Sequence, residues 1–264
     1  QSNAAMNLAM GNALTNSGTV LAKTNLVSNS GSLSNSGTLQ SDRAGTITTI
    51  GALSNTGLMI ASNAAGDTGT IHAGTLSNTG TGVIQSAQSL AINLSGASFT
   101  NASKMIAAND LTITSTGGAL TLTNQSGAYL QSGTASGDTL TVNGTAVTLN
   151  NNAGGVMVSD QLAFALASLN NAGTLQGGAA VSNIGMSGAF VNSGTLTLAT
   201  SGAGSSFISA NSLTNLAGGT LQSGTAMAFT VTNLLSNEGT LFAVNNLSIS
   251  SADLTNSGTL QTNL

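Results

Sequence analysis

The chain contains no cysteine, no proline and no tryptophan, and among its 264 residues only Lys23, Arg43 and Lys104 are basic. Each absence excludes something. Without cysteine there is neither a disulfide framework nor a thiolate metal site. Without proline, backbone ladders can run unbroken, because proline removes a donor and is confined to sheet edges and bulges. Three cations within a net charge of −4 cannot provide a phosphate-neutralising surface, so no nucleic-acid partner is expected. The longest apolar runs, such as the one around Ala163 to Ala167, fall far short of the ~18 to 20 residues of a spanning helix. No membrane-spanning segment is expected. Disorder by composition pairs low hydrophobicity with high net charge, whereas here 40% of residues are hydrophobic and 4% charged. The chain has material to bury.

What is present is a repeat. An Asn recurs twelve times, at Asn16, Asn35, Asn55, Asn78, Asn101, Asn124, Asn151, Asn171, Asn192, Asn215, Asn237 and Asn256. The spacings are 19, 20, 23, 23, 23, 27, 20, 21, 23, 22 and 19 residues. Two positions before each Asn stands a large apolar residue: Leu14, Leu33, Leu53, Leu76, Phe99, Leu122, Leu149, Leu169, Phe190, Leu213, Leu235 and Leu254. So uniform a pattern demands one structural role. Gly follows the Asn after two positions in eight copies and after three in three more, while the copy at Asn101 lacks it. A Gly in that place marks a turn that needs positive φ or close backbone approach. Thr38-Leu39-Gln40-Ser41 and its equivalents then read as one short strand. Alternating segments such as Leu90-Ala91-Ile92 and Leu140-Thr141-Val142 supply a second, and the run into each Asn a third.

Helices are expected to be few or absent, because Gly and Thr recur and the apolar positions alternate instead of following the i, i+3, i+4 spacing. Three strands per unit of about 22 residues, without hairpin signals, predict an all-β fold: a right-handed parallel β-helix of about 12 coils. Coils stacked ~4.8 Å apart would make a rod of roughly 50 to 60 Å. The Asn column is expected to be a structural ladder in which stacked amides bond to one another and to turn backbone. The Leu/Phe column from Leu33 to Leu254 is expected to be core. Gln1 to Ala4 reads as the remnant of a purification tag, leaving residues 5–264 as a single repeat domain, a fragment of a longer shaft. Such a truncated rod exposes unpaired strand edges, so end-to-end self-association is expected.

Chemistry-bearing residues are sparse. Measured from the Asn of their own unit, Asp42, Asp67, Asp110, Asp138, Asp160, Glu238 and Asp253 fall at offsets 7, 12, 9, 14, 9, 1 and 16. Only Asp110 and Asp160 share an offset, two coils apart, roughly 10 Å and too far for one metal ion or a retaining carboxylate pair. Asp42 beside Arg43 reads as an ordinary surface pair. His72 is the single histidine, so any Ser-His-Asp scheme would have to run through it. No phosphate loop, zinc spacing or calcium repeat is present. No catalytic residue, metal or cofactor is therefore expected. Thr46/Thr48 and Thr112/Thr114 share an offset of 11, but Thr121/Thr123, Thr139/Thr141 and Thr195/Thr197 fall elsewhere, so no continuous ice-binding Thr face is expected. Tyr129, Phe207, Phe229 and Phe242 are not assignable to inside or outside from the pattern.

Leu33-Ser34-Asn35-Ser36-Gly37-Thr38-Leu39-Gln40, Leu169-Asn170-Asn171-Ala172-Gly173-Thr174-Leu175-Gln176 and Leu254-Thr255-Asn256-Ser257-Gly258-Thr259-Leu260-Gln261 resemble the repeats of filamentous haemagglutinin-like exoproteins. The resemblance covers essentially the whole chain from Leu14. It implies a right-handed β-helix, secreted and displayed on the outer surface of a Gram-negative cell, exported through an outer-membrane two-partner secretion transporter that acts on another region. The family's proline-containing secretion motifs and non-repetitive toxin domains have no counterpart here, so the piece resembles the repeat shaft. The first expectation is a structural and adhesive filament segment that meets host or bacterial cell surfaces. The alternative is the stalk of a contact-dependent growth inhibition toxin, and a polysaccharide-acting β-helix enzyme is disfavoured by the scattered charges.

The repeat generates a stability prediction: Leu122→Ala is expected to cost about 2 to 5 kcal/mol through lost burial and cavity formation, measured by chemical denaturation.

Overall fold

The structure, a computed structural model, describes residues 1–179 and 181–263. Ala180 and Leu264, both within the expected repeat domain, lie outside the described residues. Among the described residues every element is a strand, and every strand pairing between coils is parallel. Each coil contributes three strands, as in Leu26–Ser30, Ser32–Asn35 and Thr38–Ser41 of the second coil. In the last two coils the first and second strands run together, as Ala226–Asn237 and Leu247–Asn256. First and second strands stack into a 22-stranded sheet and third strands into a 12-stranded one. The chain is thus a parallel β-helix of about twelve coils.

Register puts like on like. Leu33 pairs with Leu53, Leu53 with Leu76, Leu76 with Phe99, and Phe99 with Leu122, all fully or almost fully buried. On first strands the matching inward column is β-branched, with Ile47, Ile71, Ile92, Ile113 and Val142 in line. On third strands it is Leu39, Met59, Ile84, Met105, Leu130 and Met157, where unbranched methionine fills what the other two walls leave. An alternating strand that buries one face leaves the other in water, and stacking removes the inner face of every coil except the outermost two.

The Asn column lies at the corner between second and third strands. Each Nδ2 donates to the Oδ1 of the Asn one coil later, from Asn16 to Asn35 (2.8 Å) through to Asn237 to Asn256 (2.7 Å), without a gap. The second hydrogen of each Nδ2 donates to the backbone carbonyl that opens the next coil's third strand, for example Asn78 to Lys104 O at 2.9 Å and Asn124 to Val156 O at 3.2 Å. Asn35 to Asn237 are essentially removed from solvent, and these bonds are what make that burial affordable.

The turn that follows comes in two lengths. In the two-residue turn, as at Ser36-Gly37, the Gly φ is ordinary, but an added Cβ would overlap the carbonyl of Gly18 one coil earlier. In the four-residue turn a Gly such as Gly127 (φ 74°) or Gly218 (φ 83°) adopts the left-handed region. Close approach and positive φ are therefore separate demands met by different glycines.

One expectation needs correction at the end of the rod. Leu254, placed in the core column, is 48% exposed, and Asn256 is exposed as well, because the final coil has no later coil to cover it. At the other end Ser2 forms an isolated parallel bridge with Ala22, its N–H donating to Leu21 O at 2.9 Å.

The interior also holds a flaw. Ser28 and Ser30 are buried at inward positions of the second coil, and neither hydroxyl has a hydrogen-bond partner among the described residues. Ser28 stacks on Ile47. Ser28→Val is therefore expected to stabilise the rod by about 1 kcal/mol, since an unpaired buried hydroxyl costs and a methyl in its place packs. Asn124→Ala is expected to cost about 3 kcal/mol or more by stranding its buried neighbours, while Asn256→Ala costs under about 1 kcal/mol. Urea midpoints at constant slope check both.

Candidate functional site: the outer faces of the rod

Function has to be sought on the outward columns, because the interior is filled. His72 projects outward from the first strand of the fourth coil, exposed, with Thr48 before it and Asn93 after it in the column. No carboxylate pairs with it there. Asp42 does not pair with its neighbour Arg43: it meets Lys23 at 3.1 Å, and Arg43 reaches Asp67 at 2.7 Å. A bond donated by the Gln40 amide and the nearby Lys23 ammonium hold the Asp42 carboxyl below the usual carboxylate range.

Counting from the Asn misplaced one acid. Asp138 and Asp160 occupy the same position of adjacent coils, the Gln161 N–H donating to Asp138 O at 3.0 Å, because the excursion between Gln131 and Thr139 lengthens the coil. Their carboxylates cap backbone: Asp138 accepts from Ala135 N at 2.9 Å, and Asp160 from Gly137 N at 2.9 Å and Ala179 N at 2.8 Å. Asp110 accepts from Thr139 N at 2.9 Å. These acids serve to hold corner loops, and among the described residues no group of three or more His, Asp or Glu is placed to hold a metal ion.

The same excursion corrects the threonine columns. Thr141 stacks directly on Thr112 across it. Thr121/Thr123 stand on a second strand, in register with Ser98/Thr100 before them and Thr148/Asn150 after. First and second strands together present a broad face of hydroxyls and amides, interrupted by apolar residues that include the exposed Val27, Phe207 and Leu234.

The third-strand face differs. Through coils three to seven its outward columns read Leu58, Val83, Lys104, Tyr129, Val156 and Ile60, Gln85, Ile106, Gln131, Val158. These columns are largely apolar and half-buried, with Ile60 buried, with Lys104, Gln85 and Gln131 interrupting them and with the single tyrosine among them. Two shallow depressions lie towards the C-terminal half. One, of about 280 Å³, is bordered by Thr197, Gln222, Phe242 and Val244. The other, of about 260 Å³, is floored by Ala163 and Ala165 between Asn143 and Asn183, with the exposed Phe207 one coil on from Asn183. Phe229, by contrast, is buried in the core. The aromatic residues that the pattern left unassigned are thus three outside and one inside.

No family model matches the chain, and no curated protein or solved structure matches it either. Function rests on the faces themselves. Among the described residues no helix is long and apolar enough to cross a membrane.

The Asp42 environment makes a pH prediction. A carboxyl whose folded pKa is depressed contributes stability above its unfolded value of ~3.9 and loses it as pH falls through the lower, folded value. Carboxyl-carbon NMR titration is expected to place Asp42 below that unfolded value, and Lys23→Ala to move its midpoint upward.

Proposed function

We propose that this chain is a shaft segment of a large secreted bacterial surface filament and that it takes part in attachment to cells or surfaces, without enzymatic activity. The observation that carries the reading is the half-buried apolar stripe of Leu58, Val83, Ile106, Tyr129, Val156 and Val158 on the outward columns of the third strands, interrupted by Gln85, Lys104 and Gln131. A stalk that only spans distance needs solubility on every face, whereas apolar side chains gathered on one outward face offer a surface that can meet something. Tyrosine is well suited to such a role, since it brings a large rigid contact area with one polar end. The sequence resemblance to filamentous haemagglutinin-like exoproteins supports secretion and surface display, and the near absence of charge favours contacts that salt does not screen.

The test is binding of the immobilised chain to epithelial cells and to bacterial cells. Tyr129→Ser combined with Val156→Ser changes outward positions only, so the rod is expected to keep its unfolding midpoint while binding falls about tenfold. Binding unchanged by that pair would refute the stripe as the attachment surface. Binding to neither cell type would leave the stalk reading, in which the segment supplies length to domains carried elsewhere.

A further inference from the structure

The depression of about 280 Å³ runs along the flank of the rod over coils nine to eleven. One wall is the outward column Thr197, Gln222 and Phe242, in register from coil to coil. Two residues further along the chain stand Ala199, Gly224 and Val244, with Thr200 beyond Ala199. The floor is low because packing keeps it so. An added Cβ at Gly224 would overlap the carbonyl of Thr200, so no side chain rises between Ala199 and Val244. The third strands of all three coils are hydrogen-bonded to a coil on either side, so the groove belongs to the flank and not to an end.

The chemistry of the lining narrows the occupant. Phe242 is half-buried and turned outward, between the buried Leu241 and Ala243. Gln222 Nε2 donates to Thr197 Oγ1 at 2.9 Å, which holds the amide in place and leaves its second N–H and its Oε1 without a partner among the described residues. No charged residue occurs in segments 195–204, 220–226 or 240–246, so an ionic ligand would find no counter-charge. A wholly apolar ligand would strip water from the Gln222 amide and the threonine hydroxyls without returning a hydrogen bond. An extended peptide binds a sheet by pairing with an open strand edge, and these third strands are paired on both sides. What fits is a neutral ligand with one apolar face and a rim of groups that both donate and accept.

We propose that this groove is a binding site for a neutral saccharide, with one pyranose ring laid against Phe242. The C–H groups on one face of the sugar meet the negative face of the aromatic ring. Its hydroxyls, each a donor and an acceptor, pair with the free N–H and Oε1 of Gln222 and with the Thr200 hydroxyl. Ligand sites for larger molecules begin at about 300 Å³, so this one takes a single ring and not an oligosaccharide chain. An acidic sugar gains nothing here, because no cation faces it. The site lies on the continuation of the column that carries Val158, through Gln176 to Thr197, and it does not depend on the apolar stripe or on any role in attachment.

Saturation-transfer NMR of the full chain with the methyl β-glycosides of glucose, galactose and N-acetylglucosamine tests it. At least one of the three is expected to receive saturation at its ring C–H protons, with a Kd of about 1 mM, as suits one ring in a shallow groove. Phe242→Ala and Gln222→Leu are each expected to weaken that binding about tenfold. Phe242→Trp is expected to preserve it, since the larger ring keeps the stacking face, and Tyr129→Ser combined with Val156→Ser to leave it unchanged. These side chains all lie on outward columns, so every variant is expected to retain the parent unfolding midpoint. Saturation of none of the three glycosides, binding that survives Phe242→Ala, or binding lost in the Tyr129/Val156 pair would each overturn the proposal. So would a neutral Ser/Asn-rich peptide that shifts the Phe242 ring protons where no glycoside does.

Discussion

A primary amide carries two donor hydrogens and one strong acceptor, and a coil corner that repeats every ~4.8 Å gives each of these a fixed partner. That coincidence holds the rod together where its backbone ladders turn. One hydrogen continues the column, the other crosses to the sheet of third strands, and the oxygen receives the amide before it. The two sheets are thereby tied at their shared edge in every coil. A shift of one residue would turn the amides outward and the hydroxyls inward along the whole strand, so the Asn column fixes register as much as the hydrophobic column does.

With that corner fixed, the others are free to vary. The turn after the Asn takes two or four residues, and the passage from third strand to the next first strand ranges from the two residues between Ser223 and Ala226 to the seven between Gln131 and Thr139. These excursions lie outside the stacked strands, and the one at 133–138 is held by the carboxylates of Asp138 and Asp160. Coil length can change by several residues while the pairing of Leu122 with Leu149, and of Asn124 with Asn151, is untouched.

What was legible in the sequence is what every coil needs. Asn and Leu/Phe recur because each coil presents the same inner corner to its neighbours, and a repeated demand leaves a repeated letter. What was not legible depends on geometry between units. Thr141 joins Thr112, and Asp138 aligns with Asp160, only after an insertion whose length no residue type announces. The partner of Asp42 is Lys23 from the preceding coil and not the adjacent Arg43, since on a solenoid the nearest residue in space is about twenty away in the chain. Leu254 shares the letter of its column but not the burial, because burial is conferred by the next coil and no residue of the chain supplies one there.

The backbone hydrogen bonds between strands run along the rod, from each coil to the next, and none of the described strands doubles back. A force applied at the two chain termini therefore meets the coils one at a time, peeling the outermost from its neighbour while the remainder stays intact. Each coil released lengthens the tether by roughly 70 Å of extended chain in exchange for ~4.8 Å of rod. The rod is in this sense a reel, able to yield under load one coil at a time without losing the coils that have not yet been reached.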